Sequence, residues 1–559
     1  MKKNIKKQRL TVIDFFCGAG GFSEGFRRAG FDVIMGIDIW EPAVFTHNIN
    51  HGLFDKKKSI LDFKKIEEID LLPDSDVIIG SPPCQTFSLS NHGGNANKDT
   101  GVELILVFLK IVAVKKHKKN SKLKAWLMEN VPNSRNSVKE RYTFLDLDLE
   151  DWAKNNGINP EAIALHVKNN GDILHSDDYG AAQTRKRFVC GEITRTGLFP
   201  APTKLNQQVK SLKMIFENFP KPLSKINQDY LIPDPNYPDE LISTSDITDH
   251  YYDTGIYRVQ WQRAKDLKLM HPYMGKMSFP ENFDKPSRTI MATQSASTRE
   301  SIIYPSEISR KGDGEFRLPT IREAATIMGY PLDYQFYGDE STKWRLVGNA
   351  VCVQLSYALA LEILKKLKHS QLPPKYIDKN LKQFNFLDNH KEKVFNNPPK
   401  RSEKALFRHF PIKSGNMTVD LTNKINGQIG TWGIIAHSGT GKGFSSILID
   451  SKHQEEVMNI LLVILPEIID IVRKDKLIKK YTNSYFNTMN RSYGFFGDIP
   501  DHPYMLIEHI RNIISELIKI HGDKEIDISG MRLAKLKSKI PFSQVISIYL
   551  LSILIFGEK

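Results

Sequence analysis

The chain has 559 residues, 40% of them hydrophobic and 25% charged, with a formal net charge of +14. That length exceeds what one hydrophobic core organises, so about two to four globular domains are expected. The four cysteines, Cys17, Cys84, Cys190 and Cys352, are scattered without metal-ligand spacing, which excludes a disulfide-stapled module and leaves no expected metal site.

The start of the chain is basic, but the apolar run behind it carries Asp14 and reads as a strand, not a secretion signal. Strands are predicted over 11–16, 32–37, 77–79, 125–128 and 187–191, and helices over 22–29, 41–48 and 102–115. Strand–helix alternation predicts an α/β fold with a parallel, doubly wound, Rossmann-like sheet. From 194 to 317 the chain is rich in Pro, Asp, Asn, Tyr and Ser, as expected of a smaller, loop-rich domain. Helices return over 320–328 and 353–367, which brings the chain back to the first domain. These boundaries divide the chain into 9–193 with 318–368, then 194–317, a polar linker over 369–404, and a C-terminal α+β domain over 405–559. Two apolar segments in that last domain, 458–472 and 542–556, are predicted as buried core helices. The second is shorter than the about 20 residues a bilayer span needs. The stretch His437-Ser-Gly-Thr-Gly-Lys-Gly443 has Ala436 and Gly443 where a phosphate loop needs Gly and Ser or Thr, so it reads as a hairpin or surface loop.

Four stretches carry chemistry. Asp14-Phe-Phe-Cys-Gly-Ala-Gly-Gly-Phe22 is a strand, a glycine turn and a helix, with Ser23 where a dinucleotide fingerprint needs its third glycine. Asp38 follows the second strand, where a carboxylate accepts from ribose hydroxyls. The pair suits a nucleotide-like ligand without a pyrophosphate, or a purely structural turn. Gly80-Ser-Pro-Pro-Cys-Gln85 places Cys84 on a proline-stiffened loop at a strand end, as a candidate nucleophile or a small buried turn residue. Glu129, at the end of the run Trp126-Leu-Met-Glu-Asn-Val131, is a candidate proton carrier or a surface carboxylate. In Gln183-Thr-Arg-Lys-Arg187 the alternation puts Arg185 and Arg187 on one strand face, for phosphate or base contacts or as an edge guard.

Together, and in this order, these stretches resemble the DNA cytosine-5 methyltransferase family. Pro286-Ser-Arg-Thr-Ile290 and Gly348-Asn-Ala-Val351 resemble two further motifs, and the likeness covers about residues 9–368. The resemblance implies S-adenosylmethionine as cofactor, held by Phe16, Gly18, Ala19, Gly20, Gly21, Asp38, Ile39, Ile60, Pro83, Asn349 and Val351. It implies Cys84 as the nucleophile on cytosine C6, with Glu129 at N3 and the exocyclic amine, Arg187 at O2, and Arg185 in the catalytic set. Gln85, Ser88, Arg288 and Thr293 are the implied DNA contacts, and residues 194–284 the target-recognition segment. Arg258, Gln260, Gln262 and Arg263 are further candidates there. Lys58-Ser59-Ile60 departs from the family's Gly-Asp-Ile, which puts adenine contacts at Ser59 in question. The positive balance suits duplex DNA, or is a Lys-rich solvated surface.

The implied protein is a cytoplasmic, DNA-associated modification enzyme with no membrane segment and a cognate restriction endonuclease as genetic partner. The alternatives are a tRNA cytosine-5 methyltransferase, a non-catalytic DNA-binding protein on the same fold, and a bifunctional enzyme with a C-terminal nuclease.

Overall fold

The computed structural model describes residues 8–83, 98–205, 209–222, 229–252, 255–269, 277–307, 314–377, 409–439, 445–481 and 503–558. They form two compact units; those up to 377 belong to the first and those from 409 onward to the second.

The first unit is built on a six-stranded sheet. The strands β1 (Thr11–Phe15), β2 (Asp32–Ile37), β3 (Val77–Gly80) and β4 (Ala125–Asn130) are short; the first three are rich in Val and Ile, and all but the half-buried β2 are almost wholly buried. Helix α1 (Gly21–Arg28) joins β1 to β2, α2 (Glu41–His51) and α3 (Ile66–Asp70) lead from β2 to β3, and α4 (Lys98–His117) leads to β4. A small hairpin, β5 (Arg141–Thr143) with β6 (Ile163–His166), precedes β7 (Gly171–His175) and β8 (Lys186–Ile193). The sheet order is β2-β1-β3-β4-β8-β7. The first four strands are parallel, but β8 runs antiparallel to β4 and to β7. The sheet is therefore mixed, not wholly parallel as expected. β7 and β8 are joined by the short segment 176–185, a connection without a crossover helix that requires antiparallel strands.

The segment 194–317 carries one longer helix, Arg258–Leu269, and two small hairpins, β9 (Leu231–Pro233) with β10 (Leu241–Ser243) and β11 (Tyr304–Pro305) with β12 (Phe316–Arg317). The chain then re-enters through the helices Ile321–Ile327, Glu340–Asn349 and Val353–Lys366. Thr320 opens the first of these with a capping box to Glu323. Residues 369–377, at the start of the expected linker, make contacts with the first unit. The Pro373 carbonyl accepts from Arg9, the Lys375 carbonyl from Arg27, and the Lys375 ammonium pairs with Asp32 at 2.8 Å. The rest of the expected linker lies outside the described residues.

The second unit has a four-stranded antiparallel sheet, β13 (His409–Ser414), β14 (Met417–Ile425), β15 (Gln428–Ser438) and β16 (Ser445–Ile449). The helix Phe542–Phe556 supplies the middle of its core. The 458–472 segment divides at Leu465 between two helices, beside the interruption expected at Pro466; Leu461, Leu465, Ile468 and Val472 are buried in that core, and Leu462, Val463 and Ile464 are exposed. Pro466 has no N–H to continue the first helix. Of the glycine stretch after His437, residues 440–443 lie outside the described residues; the flanking strands β15 and β16 pair antiparallel.

Candidate active site

Three positions after β1 are left-handed: Phe16 at φ 57°, Gly18 at 53° and Gly20 at 81°. A Cβ on Gly20 would lie 2.5 Å from the Tyr334 hydroxyl, and one on Gly21 2.2 Å from the Val351 carbonyl oxygen. The turn can therefore lie flat against residues 334 and 351 only because these side chains are absent. Tyr334 donates to the Ala19 carbonyl at 2.6 Å, which fixes the turn from below. Asp38 fixes it from the side: its carboxylate accepts from the N–H groups of Gly18 at 3.0 Å and Trp40 at 2.9 Å. Burial nevertheless pushes the Asp38 carboxyl above its ordinary range.

Above the turn, at the C-terminal edge of the parallel strands, lies a cavity of about 500 Å³. Phe16, Gly18, Ala19, Asp38, Ile39, Ile60, Pro83, Asn349 and Val351 line it at one end, and Glu129 and Arg187 line it too. Gly20 and Gly21 do not; they face inward against Tyr334 and Val351, so they shape the turn rather than the cavity wall. Glu129 is 4% exposed. Its Oε1 sits 2.9 Å from Arg187 Nε, and its Oε2 accepts from the Ser81 hydroxyl at 2.6 Å. Asn130 Nδ2 donates to the Pro82 carbonyl at 3.1 Å, and the Ser81 N–H to the Phe15 carbonyl at 3.1 Å. The chain is thus tied to β4 and β1 just before Cys84. Cys84, Gln85 and Ser88 lie outside the described residues.

Arg185 and Arg187 do not share a face. The strand begins at Lys186, and Arg185 turns back into the protein. It donates to the carbonyls of Ile290 at 3.1 Å, Gly348 at 3.0 Å and Ala350 at 3.0 Å. It does not line the cavity; its work is to hold the segment that carries Asn349. Gly348 lies under Ala292, where a Cβ would come within 2.3 Å of the Ala292 nitrogen.

Residues 10–365 match the model of the C-5 cytosine-specific DNA methylase family. The chain belongs to this family. It is a DNA cytosine-5 methyltransferase. The type II methyltransferase M.MthTI of Methanothermobacter thermautotrophicus is 28% identical over 64% of this chain and 98% of its own length. M.FnuDI of Fusobacterium nucleatum, also a type II methyltransferase, is 27% identical over 68% of this chain and 100% of its own. Among solved structures, the Entamoeba histolytica methyltransferase EhMeth aligns with 65% of this chain and 100% of its own, at 17% identity and a TM-score of 0.39.

Two expected DNA contacts of this methylase sit differently from each other. Thr293 is exposed on a bend. Arg288 is spent inside the protein: it bonds Glu281 through two nitrogens and the carbonyls of Arg299 at 3.2 Å and Ser301 at 2.8 Å. Lys268 joins the same carboxylate at 2.9 Å. Of the four further candidates, Arg258 and Arg263 are exposed and Gln260 and Gln262 half-buried on the helix Arg258–Leu269.

The cavity of the methylase is also lined by residues that sequence reasoning missed. Trp40 and Arg345 line the cavity, with the guanidinium 4.5 Å from the indole centre. Arg345 stands four residues before Asn349, one helical turn away, which was the available signal. Lys58 lines the cavity and donates to Glu68 at 2.7 Å. Ser59 accepts the Leu61 N–H at 3.2 Å and so caps a short 3₁₀ turn, in place of the acidic residue usual in the family.

Proposed function

We propose that this methyltransferase acts on a cytosine turned out of duplex DNA, through a transient bond between Cys84 and C6, with S-adenosylmethionine as cofactor. The observation that carries the reading is the sharing of one cavity by Asp38 and the glycine turn with Glu129 and Arg187. A nucleoside-sized ligand fits the first set: an acid for ribose hydroxyls, the apolar faces of Phe16, Ile39 and Ile60 for an adenine, and Asn349 and Val351 as the closing wall. Bound there, S-adenosylmethionine supplies an electrophilic methyl group.

The chain's own residues prepare the base. Cytosine C5 is a weak nucleophile. Addition of the Cys84 thiolate to C6, its proton having passed to solvent, makes C5 electron-rich and moves negative charge to N3 and O2. Glu129 carries a proton to N3 and accepts from the exocyclic amine, Arg187 donates to O2, and N3 gives the proton back when the sulfur leaves. After C5 is methylated, a base removes the C5 proton, the C5–C6 double bond re-forms and the sulfur leaves. Turning the base out of the stack costs a few kcal/mol, repaid by contacts to the backbone. The net charge of +14 supports such contacts. Arg185 acts in this scheme as a brace rather than a catalytic group. Residues 194–317 serve as the target-recognition domain, and those from 405 as an accessory domain.

The type II names of the relatives support a modification enzyme of a restriction–modification system, working on DNA in the cytoplasm with a cognate endonuclease as genetic partner. Bisulfite sequencing of DNA from a host expressing the protein tests this. The expected result is 5-methylcytosine at one short recurring sequence, lost with Cys84→Ala. Methylation of tRNA and of no DNA would overturn the reading. Magnesium-dependent cleavage of DNA would assign the C-terminal region a nuclease role instead of an accessory one.

A further inference from the structure

We infer that Ser81 is a positioning residue for Glu129. This rests on the reaction proposed above, in which Glu129 meets the base. Ser81 lines the cavity at the end of β3, its backbone held by Phe15 and its hydroxyl donating to Glu129 Oε2 at 2.6 Å. The other carboxylate oxygen faces Arg187 at 2.9 Å. The two oxygens are therefore gripped from different strands, β3 on one side and β8 on the other.

The grips are not equivalent during turnover. Arg187 must also serve the base oxygen, and its own terminal nitrogen donates to the Lys186 carbonyl at 2.7 Å. As Arg187 turns to the base, the Ser81 contact is what keeps the flexible Glu129 side chain aimed at N3. A short O–H bond to a charged oxygen is among the stronger hydrogen bonds. The other charged groups facing this space are Arg187 from β8, Asp38 after β2, Lys58 before the 3₁₀ turn, and Arg345 from the helix Glu340–Asn349.

The test compares full-length wild type, Ser81→Ala, Ser81→Thr, Glu129→Gln and the double variant Ser81→Ala with Glu129→Gln in labelled methyl transfer to unmethylated bacteriophage DNA, with cofactor affinity by calorimetry. Ser81→Ala is expected to lower kcat about 10-fold or more while leaving cofactor affinity within about twofold. Added to Glu129→Gln it should lower kcat by less than about twofold, because the carboxylate it positions is already gone. Ser81→Thr, which keeps the hydroxyl, should restore kcat. Wild-type rate in Ser81→Ala overturns the inference, as does a full further loss of about 10-fold in the double variant, or equal damage in the Ala and Thr variants. Should Ser81→Ala not bind cofactor, Ser81→Gly is the replacement variant, read by the same criteria. A wild type that methylates no DNA overturns the reaction itself, which is a separate failure.

Discussion

Glu129 and Arg185 come from adjoining motifs and do different work. Glu129→Gln keeps the size of the side chain and removes the charge facing Arg187. Expected is a loss of about 10²- to 10⁴-fold in kcat, the range of an acid–base group, with cofactor affinity nearly unchanged, as read by labelled methyl transfer and calorimetry. Arg185→Met instead strips donors from three buried carbonyls. At about 1.5–3 kcal/mol for a hydrogen bond to a charged group, the first unit should melt several degrees lower, and Arg185→Lys should rescue little, because one ammonium does not span all three carbonyls. Calorimetry checks both. Asp14 carries a pH dependence. Burial pushes its carboxyl up to about 8, against the Ser23 hydroxyl bonded to it at 2.7 Å, with Asp38 adding to the rise. The folded state thus binds a proton that the unfolded chain releases near pH 4. Its stabilising contribution is whole below that pH and is lost as pH rises to about 8, by up to about 1.4 kcal/mol per unit. Asp14→Asn should flatten this slope in urea unfolding measured from pH 4 to 8.

Among the elements, the glycine turn shows how local pattern and distant packing combine. Its strand–glycine–helix order is plain in the sequence, since apolar β-branched runs and glycines act locally. That Gly21 must be glycine is a tertiary fact, imposed by the Val351 carbonyl more than 300 positions away. Gly21→Ala should therefore cost far more than Gly157→Ala, which pays only the about 1–2 kcal/mol of its left-handed backbone, because nothing lies within 4 Å of a Cβ there. Thermal unfolding of the two variants decides it. The sheet shows the limit of pattern in another way. An apolar run has no direction, so β8 was found but its antiparallel placement was not, and β7, half-buried and with Gly171 and Asp172 in its five residues, left too weak an alternation to find.

At the scale of the molecule, the second unit has a core of its own, drawn from residues 410–554. Leu551, fully buried in the helix Phe542–Phe556, is expected to cost about 2–5 kcal/mol as Leu551→Ala, lowering that unit's calorimetric transition. The excess of positive charge makes DNA affinity salt-dependent. The logarithm of the binding constant should fall with that of salt by about 0.9 per phosphate contact in a titration series, and a flat line would deny backbone contacts. What the sequence determined by itself was the glycine turn with its flanking strand and helix, four further strands, the family, and Glu129, Arg187 and Asp38 as candidates that line the cavity, because each is written in a few neighbouring positions whose chemistry is local. The tertiary structure alone decided that Arg185 and Arg288 serve the scaffold, that Ser81 grips Glu129, and that Trp40 and Arg345 share the cavity wall. Those contacts join residues far apart in the chain, and a side chain's partner is chosen by how the layers pack, which no short stretch of sequence contains.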